Sequence, residues 1–137
     1  MENGTAGATN ILNNSPSYAV ANAFKLDNSN WESEENLFPL AIWMRFQRTY
    51  RLKKIGVRFY NGAYAPNKLI IVGSDDCANW NPLLSVENTG ISTSESNPYR
   101  EWTISEATRF PCLGLMFLES NGLSYGRVNI KVIHMWQ

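Results

Sequence analysis

The sequence predicts an all-β protein, a β-sandwich of the jelly-roll kind. Three observations predict it. Several short segments alternate apolar and polar residues with a period of two. Intervals rich in Asn, Gly, Pro and Ser separate them. The length, 137 residues with 44% apolar, suits one hydrophobic core and leaves too little for two.

Residues 40–46, LAIWMRF, put Leu40, Ile42, Met44 and Phe46 on one face and Ala41, Trp43 and Arg45 on the other, the pattern of a half-buried strand. Residues 55–60, IGVRFY, repeat it through Ile55, Val57 and Phe59. Residues 68–73, KLIIVG, are short, rich in β-branched side chains and bounded by turns. Residues 83–87 and 99–104 read as strands with weaker patterns, and 112–118, CLGLMFL, as a buried strand. Residues 128–136, VNIKVIHMW, alternate again, with a slip near Ile133. About seven strands at this spacing imply a sandwich or jelly roll. The interval 88–98 reads as the most mobile loop. Residues 1–14 are expected to form a flexible N-terminal segment ahead of a domain over 15–137.

Lys plus Arg number 12 and Asp plus Glu number 12, so the formal net charge is zero. That balance argues against a dedicated nucleic-acid binder, which needs surplus cations to neutralise phosphates. It gives no bulk attraction to anionic membranes either. The first residues lack the basic-then-apolar pattern of a signal peptide. The expectation is a cytosolic protein, or a domain excised from a secreted or surface protein. Cys77 and Cys112 have neither CxxC spacing nor a neighbouring His, so zinc is not expected. Free thiols and a single bridge both fit the spacing.

Four motifs in order along the chain carry a family resemblance. They are Ala21-Asn-Ala-Phe24 followed by Asn30-Trp31-Glu-Ser33, the 40–47 strand, Ser74-Asp-Asp-Cys-Ala-Asn-Trp80-Asn-Pro-Leu83, and Arg109-Phe110 leading into the 112–118 strand. Together they resemble the discoidin domains, also called coagulation factor 5/8 type C domains, which have the galactose-binding-like jelly-roll fold. The resemblance runs from about Ser15 to Trp136. Departures are plain: Arg45 and Gln47 stand in place of the family's Asp and Gly, and Cys77 in place of a Gly. The matched aromatics Trp31, Trp80 and Phe110 read as scaffold, with Trp80 closing the end of the core. Asp75 and Asp76 suit a turn held by side-chain bonds to backbone amides. The resemblance also implies calcium in the loop before Trp31, for which Asp27 and Asn30 are the candidate ligands. Only Asp27 supplies a carboxylate there, and the family's late acidic ligand is replaced by Asn129.

Following the strands up and down gathers loops 32–39, 61–67, 88–98 and 119–127 at one end, which corresponds to the ligand-binding end of the family. Their chemistry suits a sugar, which offers hydroxyls to polar groups and a C–H face to a ring. Glu34, Glu35, Asn61, Asn121 and Arg127 are the hydrogen-bonding candidates, and Tyr60, Tyr64 and Tyr125 the stacking ones. Bland alternatives stand beside these: Tyr60 facing the core, or Arg127 paired with Glu119. The expected function is non-catalytic recognition of a glycan or glycoprotein. Protein–protein adhesion or docking ranks second. Phospholipid binding ranks third, because the loops that offer Leu37, Phe38 and Ile91 are also acidic. An enzyme is not expected: the one histidine, His134, has no nucleophile placed beside it by any motif.

Overall fold

In the computed structural model, which describes residues 4–9, 20–25, 29–33, 38–121 and 126–137, the alternating segments pair into two antiparallel sheets. The strands are β1 (Thr5–Ala8), β2 (Trp31–Glu32), β3 (Leu40–Tyr50), β4 (Lys54–Phe59), β5 (Pro66–Ser74), β6 (Asn81–Val86), β7 (Tyr99–Thr103), β8 (Phe110–Ser120) and β9 (Asn129–Trp136). One sheet has the order β1-β3-β8-β5-β6 and the other β2-β9-β4-β7. Short 3-10 turns occupy Val20–Phe24 and Gly62–Tyr64.

The period-two pattern decides which face meets the core. Leu40, Ile42 and Phe46 of β3, Leu69 and Ile71 of β5, and Leu113, Leu115 and Phe117 of β8 point inward from the larger sheet. Ile55, Val57 and Phe59 of β4 and Ile130 and Ile133 of β9 meet them from the smaller one. Trp31 is fully buried and stacks on Phe117 at 6.2 Å between centroids. A buried residue of this size is worth roughly 2–3 kcal/mol in transfer free energy, so the short β2 is anchored by one side chain. The bulge between Arg58 and Phe59 in the β4–β9 ladder accounts for the slip expected near Ile133.

Several features depart from expectation. β1 lies within the 1–14 segment that lacked alternation, yet it pairs with β3 through Gly7 opposite Trp43. Trp80 does not close the core. Its ring is half-buried on the outer face of the larger sheet, 5.4 Å from Trp43. The cause is register: Trp43 is flanked by Gly7 on β1 and Gly114 on β8, and with no side chains there its ring lies across the sheet as a platform. Cys77 and Cys112 form a disulfide that ties the 74–80 turn to the start of β8. Cys77 has φ 58, so it keeps the left-handed conformation that the family's Gly would supply. Asp76 holds the same turn by accepting from the backbone N–H groups of Ala78 and Asn79 at 2.9 and 2.8 Å. Arg109 donates to the carbonyl of Thr49 at 3.2 Å.

Candidate functional site

The loop after β4, the loop before β7 and Asn121, which follows β8, meet at one end of the sandwich. Asn61 starts this end by capping the 62–64 turn, its Oδ1 accepting from the Ala63 N–H at 3.0 Å. The turn sets Tyr64 beside Tyr60, edge to face, with centroids 5.7 Å apart. Tyr60 is 46% exposed, which rules out the core-facing alternative. It follows Phe59 in a strand whose odd members, Ile55, Val57 and Phe59, are inside, so alternation sends it out.

The 88–98 loop, expected to be mobile, is densely bonded and forms the opposite wall. Thr89 Oγ1 donates to the Pro66 carbonyl at 2.9 Å, and Asn88 Oδ1 accepts from the Gly90 N–H at 2.8 Å. Glu95 is the keystone. Its carboxylate accepts from the Ser92 N–H at 2.6 Å and from Arg100 at 3.1 Å, while its carbonyl accepts from the Gly62 N–H at 2.8 Å. The Ser92 N–H first, and then the Arg100 bond, hold its carboxyl below the usual range, so it stays ionised. Asn61 and Ser96 pair across the gap as an isolated β-bridge. Gly62 is required here by close approach, because a Cβ would run into the backbone of Ser92.

Between the two walls lies an open depression of about 530 Å³, lined by Tyr60, Asn61, Ala63, Tyr64, Thr93, Ser94, Glu95 and Ser96. It therefore brings together three of the residues expected from sequence, Tyr60, Asn61 and Tyr64. The hydroxyl wall of Thr93, Ser94 and Ser96, with Glu95 and its Arg100 clamp, went unread in the sequence. The run STSES was its only signal.

The other candidates fall elsewhere. Asn121 does not line the depression; its Nδ2 donates to the carbonyls of Ile91 at 2.7 Å and Gly62 at 3.1 Å, strapping the two walls together from behind. Arg127 pairs with Glu32 at 3.8 Å, not with Glu119, whose carboxylate accepts from Asn67 at 2.8 Å. Glu32 is buried, and desolvation raises its pKa against the pull of Arg127 and of an Asn129 hydrogen bond. Glu34, Glu35 and Tyr125 lie outside the described residues, as does Leu37. Ile91, counted among the apolar loop tips, is buried, and Phe38 packs against the core.

The corner that the family resemblance assigns to calcium is built differently in the residues described. Asn30 Nδ2 donates to Asn129 Oδ1 at 2.9 Å, Asn22 Nδ2 donates to the Asn30 carbonyl at 3.2 Å, and Lys25 Nζ donates to Asn22 Oδ1 at 3.3 Å. These oxygens already receive hydrogens, and the charges beside them are the Lys25 ammonium and the Glu32 carboxylate, which is taken up by Arg127 and Asn129. Calcium takes about six to eight oxygens with carboxylates among them, and the described residues of this corner do not supply that set by themselves. Asp27 lies outside the described residues. Among the described residues no group of three or more His, Cys, Asp or Glu could hold a metal ion.

No protein-family model matches the sequence, and no curated protein is significantly similar to it. Solved structures do resemble it in fold. Chitosan-binding module 2 of a chitosanase/glucanase from Paenibacillus sp. IK-5, in complex with chitotriose, superposes with TM-score 0.77 at 15% identity, covering 98% of this chain and 97% of that one. A carbohydrate-binding module of family 32 from Clostridium perfringens, in complex with GalNAc-β-1,3-galactose, gives TM-score 0.74 at 18% identity, covering 97% and 94%. The family 32 module of Clostridium perfringens NanJ, in complex with galactose, gives 0.74 at 14% identity, covering 97% and 93%. The chain thus has the β-sandwich fold of these modules, which is the galactose-binding-like fold that discoidin domains share.

Proposed function

We propose that the protein is a non-catalytic carbohydrate-binding module whose loop-end depression holds a sugar against Tyr60 and Tyr64. The observation that carries this is the pairing of an exposed aromatic corner with a hydroxyl-rich wall in one open depression. A pyranose presents C–H groups on one face and hydroxyls around its edge. The two tyrosines match the face, and the Asn61 amide with the hydroxyls of Ser94 and Ser96 matches the edge. The depression is open, as a surface that reads a sugar within a larger glycan requires. Among the described residues that line it, the carboxylate is that of Glu95, which is clamped by Arg100 and a backbone N–H. The glycan complexes of the structural neighbours support the same reading.

A glycan array probed with the protein displayed multivalently, with and without calcium, tests it; weak single sites are then raised by avidity. Selective binding is expected, unchanged by chelation and lost in Tyr60→Ala and Tyr64→Ala. A blank array from folded protein overturns the proposal in favour of a protein-docking module.

A further inference from the structure

A second row of rings lies on the outer face of the four-stranded sheet, outside the depression. Tyr99 of β7, His134 of β9 and Trp136 of β9 succeed one another with centroids 6.5 and 5.8 Å apart. The outer row of β4 is Lys54, Gly56 and Arg58, and it continues into Tyr60, which lines the depression. Gly56 lets the Tyr99 ring lie flat on the sheet, since a Cβ would meet Tyr99 Cζ at 2.8 Å. Trp136 is 38% exposed, one of three large hydrophobic side chains so exposed among the described residues, and Tyr60 is another.

Cations stand over these rings. Lys54 Nζ is 4.2 Å from the Trp136 centroid, the Arg58 guanidinium 4.9 Å from that of Tyr99, and Lys131 Nζ 5.5 Å from that of Tyr60. Among the described residues one carboxylate faces them, that of Glu101, which pairs with Lys54 at 3.7 Å and accepts from the Tyr99 hydroxyl at 2.9 Å. Three cations to one anion make the strip positive on a chain of zero net charge.

We propose that this face is a second binding surface, taking an acidic polysaccharide chain that runs on from the loop-end depression past Tyr60 toward Trp136. It rests on the carbohydrate reading of the depression and extends it from one sugar to a chain. Rings that alternate with cations fit sugar faces that alternate with carboxylates. Two of the three cations are lysines, of which the core of a protein interface is depleted. A strip open along its length suits a linear polymer, and its head is continuous with the depression.

The test is an NMR titration of the labelled protein with oligogalacturonates of increasing length, with the Trp136 indole N–H reporting the strip and the Ser94 and Ser96 amides the depression. Long oligomers are expected to shift both sets, with affinity rising about tenfold from the shortest to the longest. That rise should disappear in Trp136→Ala. Lys54→Gln, which keeps every ring, should weaken the long oligomers and leave the shortest unchanged. Shifts confined to Ser94 and Ser96, or a rise that survives Trp136→Ala, overturn the strip and leave the depression standing. Shifts confined to Trp136 overturn the depression and the continuity of the track. An equal rise on neutral oligomers of the same length overturns the acidic assignment, and no shift at either reporter overturns the proposal.

Discussion

Asn121→Ala removes a single side chain that does not line the depression and should nevertheless weaken it. The wild-type Nδ2 donates at 2.7 and 3.1 Å to two loop carbonyls, Ile91 and Gly62. Each such bond contributes about 1 kcal/mol net, so the loss is about 2 kcal/mol. With an unfolding entropy of about 2.1 cal/mol/K per residue, a chain of 137 residues loses about 3.5 °C per kcal/mol, and Tm should fall about 7 °C. Asn121→Asp sharpens the test, because it keeps the size and replaces the donor by an oxygen facing two oxygens. At neutral pH it should be less stable than Asn121→Ala. Ionisation is disfavoured in the folded state, so the aspartate's folded pKa is raised. The stability of this variant relative to wild type should then recover in acid and fall as pH rises through that folded pKa. Differential scanning calorimetry reads stability, and titration with the sugar selected on the array reads the site, where a several-fold loss is expected. An alanine variant that melts within about 2 °C of wild type, or an aspartate variant at least as stable as alanine at neutral pH, would refute the strap.

Two further outcomes follow from the opposite end. The Cys77–Cys112 bridge closes a sequence separation of 35, which constrains the unfolded chain by about 4 kcal/mol; reduction should lower Tm by about 14 °C in a melt with and without reductant, while sugar affinity stays unchanged. The Asn79 backbone N–H first, then the Asn79 amide, the Ala78 N–H and the Ser74 hydroxyl, hold the Asp76 carboxyl well below the usual range. Its contribution is therefore present above the unfolded value of about 3.9 and lost as pH falls. Urea melts across the acid limb should be flatter for Asp76→Ala than for wild type.

What could be read in the sequence was whatever repeats along a strand. Leu40, Ile42 and Phe46, or Ile55, Val57 and Phe59, announce their faces because one side of each strand is buried. β1 has no such pattern: TAGA is held by its pairing with β3, and Gly7 sits beneath a ring supplied by another strand. β2 has two residues, too few for any period. Counting strand directions placed Tyr60, Asn61 and Tyr64 at one end. The partners that complete the depression come from side-chain bonds across loops, such as Arg100 to Glu95, and no spacing encodes these. For the same reason Glu119, near Arg127 in sequence, offers itself as the alternative partner, when Glu32 is the neighbour in space.

The Asn121 strap has a consequence for how this end can change. Both of its acceptors are main-chain carbonyls, which every amino acid carries. Ser94, Ser96 or Tyr64 could each be exchanged without depriving Asn121 of a partner. Selection, or a designer, could therefore retune which ligand is preferred one wall residue at a time, while the scaffold that spaces the walls stays in place.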